Sequence, residues 1–153
     1  MKAVIQRVKY ASVKVQGEVK GQINAGLLIL LGVTKEDDES TAELLALKLS
    51  KLRIFTDEND KMNLSVMDIG GAALVISNFT LCADMKKGNR PSFDPAMPPE
   101  EANRLYEYFC GELKKCGVGI VEKGVFGADM AVELLNDGPV TITVDTDIWN
   151  RIS

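Results

Sequence analysis

Hydrophobic and polar positions alternate from Lys2 to Val15. Val4, Val8, Val13 and Val15 stand among polar residues, with a break near Tyr10 and Ala11. That period of two is the pattern of a strand with one covered face. Gln16-Gly17 then predicts a hairpin turn, with Glu18 to Ile23 as the return strand. Asn24-Ala25-Gly26 turns the chain again. Leu27 to Val33 is apolar almost throughout, so this strand is covered on both faces. An acidic stretch from Thr34 to Ser40 precedes Leu44, Leu45, Leu47, Leu49 and Leu52. Their mixed helical spacing predicts a first amphipathic helix over Thr41 to Leu52, with Ser40 or Thr41 as N-cap and Glu43 in its first turn. Arg53 to Phe55 reads as a short strand and Thr56 to Asn63 as a polar, turn-rich piece. Ser65 to Ile69 leads through Gly70-Gly71 into Ala72 to Ile76, a buried strand.

The second half repeats the alternation of element types. Pro99 starts a second helix, Glu100 and Glu101 occupy its first turn, and Ala102, Leu105, Tyr106, Phe109 and Leu113 form its buried stripe to about Lys115. Gly117 suits its C-cap. Val118 to Lys123 is a strand and Gly124 to Asp129 a loop. Ala131 to Leu135 and Val140 to Asp145 are strands, with Asn136 to Pro139 as a tight connection between them. No repeat, linker or low-complexity segment interrupts the 153 residues. The pattern predicts one α/β domain over residues 1–153, a mixed sheet with two main helices.

Composition narrows the chemistry. Hydrophobic residues make up 46% of the chain, enough for a core. No apolar run approaches the ~18 residues of a membrane span, and Met1-Lys2-Ala3 enters a strand pattern with no signal-peptide features. Cys82, Cys110 and Cys116 are odd in number and lack CxxC spacing, so a cytoplasmic, reducing location is expected. The absence of histidine changes the picture most. It excludes Ser–His and Cys–His relays and a His-ligated metal, and no cofactor pattern such as GxGxxG is present. Catalysis is left to backbone dipoles, hydroxyls, perturbed carboxylates or lysines, or the substrate itself. The net charge of −4 argues against a broad nucleic-acid-binding face but leaves room for a local basic patch.

Two stretches carry candidate chemistry. The apolar run Ala72–Ile76 ends in Ser77, Asn78, Phe79, Thr80, Leu81, Cys82 and Ala83, which sets two hydroxyls, an amide and an aromatic ring on a rigid strand end. Thr80 is a candidate nucleophile or hydrogen-bond donor, and a plain strand-end threonine fits the same spacing. Backbone N–H groups at Phe79 and Thr80 are candidate oxyanion donors. The second stretch is Asn136, Asp137, Gly138, Pro139, Val140 and Thr141, whose simplest local reading is a turn. Lys86, Lys87 and Arg90 lie in the loop after the first stretch; they suit phosphate contacts, although a solvated surface loop is the simpler reading of the same charges.

The first of these stretches resembles the SQFTLxA motif of the D-aminoacyl-tRNA deacylases, and the second the NxGPVT motif of the same family. The resemblance extends to Ala3–Val8 with Ala11–Val13, Gly26–Val33, Leu52–Phe55, Arg90–Phe93 and Phe126–Met130, nearly the whole chain. One departure is Asn78, where the family usually has glutamine. The resemblance implies a β/β/α layered, barrel-like fold and hydrolysis of the ester joining a D-amino acid, or mischarged glycine, to the 3′ end of tRNA. It implies a homodimer with its sites at the subunit interface, where a cis Gly138-Pro139 enters the partner's pocket and its carbonyls take the substrate's α-amino group. An L side chain then collides with that unit. On the same footing Phe79, Thr80 and Ser77 are catalytic candidates. Asn78, Phe126, Met130 and Arg7 are substrate-side candidates, Phe126 and Met130 near the terminal adenosine and Arg7 bracing the Gly-Pro unit. Two other classes fit the residues without the resemblance: a non-enzymatic RNA- or protein-binding dimer, and a small-molecule esterase built on Thr80.

Overall fold

The computed structural model describes residues 1–151. Its elements in chain order are β1 (Lys2–Val15), β2 (Glu18–Ile23), β3 (Gly26–Gly32), α1 (Glu39–Ser50), β4 (Phe55–Thr56), β5 (Met62–Leu64), β6 (Ala72–Ser77), α2 (Pro99–Lys115), β7 (Ile120–Lys123) and β8 (Ala131–Asp145). β1 organises them. Its first half pairs antiparallel with β3 and its second half with β2, while β8 runs antiparallel along the other edge over almost its full length. β3, β6 and β7 are mutually parallel, as their crossovers through α1 and α2 require. The result is the expected mixed α/β, barrel-like sheet with two helices.

Parity on β3 and β6 explains why both strands are apolar on each face. Leu27, Ile29 and Leu31 with Ala73 and Val75 meet Leu45 and Leu49 of α1 and Leu105, Phe109 and Leu113 of α2. Leu28, Leu74 and Ile76 point the other way, onto Val8, Ala11 and Val13 of β1 and Ile23 of β2. Thus Ile5 belongs to the helix-covered core and Val8 to the opposite one. β1 crosses between layers where its ladder to β8 slips, between Gln6 and Tyr10. Each fully buried leucine here contributes roughly 1.5–3 kcal/mol relative to exposure.

The structure corrects five expectations. Residues 131–145 form one strand, with no reversal at Asn136 to Pro139. Both halves pair with the same strand in the same sense, Gln6 opposite Thr141 and Val8 opposite Asn136, so the extra residues bulge outward instead of turning. The N-cap of α1 is Asp38; Thr41 sits at N3 and completes a capping box. The Asp38 carboxylate is the better acceptor, taking hydrogen bonds from the Ser40 hydroxyl at 2.6 Å and the Thr41 N–H at 3.1 Å. Leu44 and Leu47 face solvent, and Ala42, Leu45, Ala46 and Leu49 make the buried stripe. β7 begins at Ile120, because Val118 still belongs to the end of α2: its N–H reaches the Leu113 carbonyl while the Gly117 N–H reaches Lys114. The short strand near Arg53 is β4, displaced to Phe55–Thr56 and paired with β5.

Candidate active site

β6 lies in the middle of the parallel part of the sheet, and the chain leaves its carboxyl end at Ser77. Open parallel sheets place ligand clefts at that end. A cleft of about 900 Å³ lies here, walled by Leu28, Leu30, Ile76, Met97, Val132 and Leu134 among others. Ser77, Asn78, Phe79, Thr80, Phe126 and Met130 all line it, so six of the residues singled out from the sequence are brought together. The walls are mainly apolar. Asp129 is the one residue with an acidic or basic side chain among those that line it.

After Ser77 the backbone tightens into a 3-10 turn, Phe79–Cys82. Asn78 caps it: its Oδ1 accepts the Thr80 N–H at 3.2 Å and also the Thr80 hydroxyl proton. Two consequences follow for chemistry. The Thr80 hydroxyl donates to a neutral amide, and no lysine or carboxylate contacts it among the described residues, so nothing there activates it as a nucleophile. The Thr80 N–H is occupied as well, which leaves the Phe79 N–H as the backbone donor of this turn with no acceptor among the described residues. The shortened amide at position 78 therefore serves the turn itself.

The Phe79 ring is 58% exposed and packs edge-to-face on Phe93 at 5.0 Å. Phe93 lines the cleft, as do Gln6 and Tyr106, and none of these three was singled out as a site residue from the sequence. Only the distant edge of a loop, a strand or a helix stripe carried them, so spacing gave no signal. Tyr106 is buried; its hydroxyl donates to the Val75 carbonyl at 2.6 Å, and burial raises its pKa. Cys82 follows Thr80 by two residues but is fully buried, and burial pushes its thiol up, away from the reactive thiolate.

Arg7, Gly138 and Pro139 do not line this cleft. Gly138 and Pro139 are exposed, and the peptide between them is cis. Arg7 donates from Nε to the Asp137 carbonyl at 2.7 Å and from one terminal nitrogen to the Ile54 carbonyl at 2.8 Å. It thereby ties the backbone before Gly138 to the approach to β4. Lys86, Lys87 and Arg90 are exposed on the loop whose ends are joined by the reciprocal Asp84 and Ser92 hydrogen bonds at 2.8 Å. That loop leads directly to Phe93 at the cleft, so the three cations stand beside it and outside its walls.

A family model described as D-Tyr-tRNA(Tyr) deacylase matches residues 4–145. A D-aminoacyl-tRNA deacylase of Koribacter versatilis (strain Ellin345) is 58% identical over 146 residues, covering 95% of this chain and 97% of the relative. One of Ruegeria pomeroyi is 59% identical, covering 95% and 99%. Among solved structures, one titled c-Myc DNA Unwinding Element Binding Protein superposes with a TM-score of 0.89 at 44% identity, covering 95% of this chain and 98% of the other. A probable eukaryotic D-amino acid tRNA deacylase shares the fold at a TM-score of 0.80 and 14% identity. With its fold, its histidine-free cleft and these relatives in agreement, the chain belongs to the D-Tyr-tRNA(Tyr) deacylase family, a family of ester hydrolases.

Proposed function

We propose that the protein removes D-amino acids, and mischarged glycine, from the 3′ end of tRNA, working in the cytoplasm as a homodimer with each active site completed by its partner. The observation that carries the chemistry is a Phe79 N–H with no acceptor among the described residues, on a residue that lines the cleft, beside a Thr80 whose hydroxyl is already engaged. The ester carbonyl oxygen accepts from Phe79 as charge develops on it, and one such donor contributes ~10²–10³ in rate. An aminoacyl ester is already activated, so a weak apparatus suffices. The ribose 2′-hydroxyl next to the ester then positions or activates the attacking water.

Selection follows from the other stretch. Gly138 and Pro139 are exposed and stand apart from the cleft of their own chain, which supports a role in a neighbouring copy's cleft. Their carbonyl oxygens accept from the α-ammonium and fix the chiral centre. A D side chain then points to open space, an L side chain meets the Gly-Pro unit, and glycine passes because it has no side chain to exclude. Phe126 and Met130 form the adenosine side of the site, and Lys86, Lys87 and Arg90 meet acceptor-stem phosphates.

The test is to incubate the protein with D-Tyr-tRNA, L-Tyr-tRNA and a simple D-tyrosine ester. Release from the D-charged tRNA alone is expected. Equal attack on the free ester favours an esterase, and no release favours a binding protein.

A further inference from the structure

The Gly138-Pro139 unit sits on a break in the ladder. One residue of β1, Arg7, spans the four residues 137–140 of β8, because pairing stops at Val8 with Asn136 and resumes at Gln6 with Thr141. A bulge this large deprives several backbone groups of their ladder partners, and such groups need replacements. Arg7 takes the Asp137 carbonyl. At the other end the Val140 N–H donates to Asn136 Oδ1 at 2.9 Å, and Asn136 Nδ2 donates to the Val140 carbonyl at 3.2 Å. The side-chain amide thus pairs with one residue's N–H and C=O together, as a facing peptide of a third strand would. Its second N–H donates to Thr141 Oγ1 at 3.2 Å. That oxygen also accepts from Gln6 Nε2 at 3.3 Å, and Gln6 lines the cleft.

We propose that Asn136 is the positioning residue that sets where Gly138 and Pro139 project, and so sets the stringency against L-aminoacyl groups. The inference rests on the reading above, in which that unit sorts the two hands. Few other side chains do this job. Aspartate accepts from Val140 N–H but donates nothing; alanine and leucine do neither; glutamine carries the amide one methylene too far. Rejection by collision depends on position more than on contact energy, so a projection free to shift by a fraction of an ångström admits the wrong hand. Gly138 is part of the same geometry: a Cβ there would lie 2.5 Å from the Val140 nitrogen, so the bulge closes over a hydrogen atom and nothing larger.

The experiment measures kcat and KM on D-Tyr-tRNA and on L-Tyr-tRNA for the wild type, Asn136→Asp and Asn136→Ala, with a thermal melt of each. We expect Asn136→Asp to raise the L-to-D ratio of kcat/KM by about tenfold and Asn136→Ala by more, since each lost hydrogen bond shifts a positioning equilibrium by roughly 2- to 12-fold. The change enters through KM for the D substrate and through new turnover of the L substrate. A purely structural residue would lower the melting temperature and the folded fraction but leave KM and the L-to-D ratio unchanged; that result, in a folded Asn136→Asp protein, overturns the proposal. If the wild type itself releases both hands at one rate, the underlying reading fails, and the role of Asn136 with it.

Discussion

Thr80 and Asn78 show how one short turn decides what a hydroxyl can do. With its proton committed to the Asn78 amide and no base in contact among the described residues, Thr80 is proposed to hold the turn rather than attack the ester. Thr80→Ala is therefore expected to keep turnover of D-Tyr-tRNA within about tenfold of wild type in single-turnover kinetics. A loss of ~10⁴ or more would restore the nucleophile. Phe79→Pro is the complementary change. It deletes the N–H at the first position of the turn, where proline is tolerated, after a residue whose backbone, at φ −149° and ψ 89°, is not helical. It should reduce kcat by ~10²–10³ without unfolding the protein, read as kcat alongside a melt. The motif itself was legible in the sequence because its residue types are unusual at a strand end. Which donor is free was not, since that depends on the Asn78 side chain folding back by two residues.

At the scale of elements, β3 and β6 are held in register where they start. A Cβ on Gly26 would meet the Ala72 carbonyl oxygen at 1.8 Å, and that oxygen belongs to backbone. Gly26→Ala should destabilise by several kcal/mol in denaturant melts, in the class of strained or overpacked core substitutions. A change within ~0.5 kcal/mol would mean that the two strands separate at little cost. α1 gives a pH prediction. The Ser40 hydroxyl, then the Thr41 N–H, hold the Asp38 carboxyl below its ordinary pKa. A depressed folded pKa contributes stability above the unfolded value of ~3.9 and loses it as pH falls through the folded one. Asp38→Ala should thus lower the melting temperature at pH 7, and the gap to wild type should close in strong acid; a gap independent of pH would remove the carboxylate from the account. The helices and the buried strands could be read from periodicity. The N-cap and the Asn136–Pro139 connection could not. Proline after glycine looks local, whereas here the decisive partner is β1, some 130 residues earlier in the chain.

For the whole molecule, charge and assembly matter. The chain is net negative, so contact with tRNA has to be local, and Lys86, Lys87 and Arg90 are exposed on the loop that leads into the cleft. Replacing one of them by alanine should lower the magnitude of the log-affinity against log-salt slope by about one unit. An unchanged slope takes that residue out of the phosphate contacts. No helix among the described residues is long and apolar enough to cross a membrane. The layered fold was legible as an order of elements, but the separation of the cleft from Gly138 and Pro139 needed the sheet. That separation gives the central claim its test. Phe79→Pro lacks the proposed oxyanion donor, and Gly138→Ala with Pro139→Ala lacks the proposed selecting unit. Co-expressed and randomly paired, they form mixed dimers in which one site has both wild-type parts only if the unit acts across the interface. The measurement is D-selective deacylation of Tyr-tRNA by the mixture. Recovery to about a quarter of wild-type activity is predicted, half the dimers being mixed and each having one good site. A mixture no more D-selective than the separate variants would contradict the account.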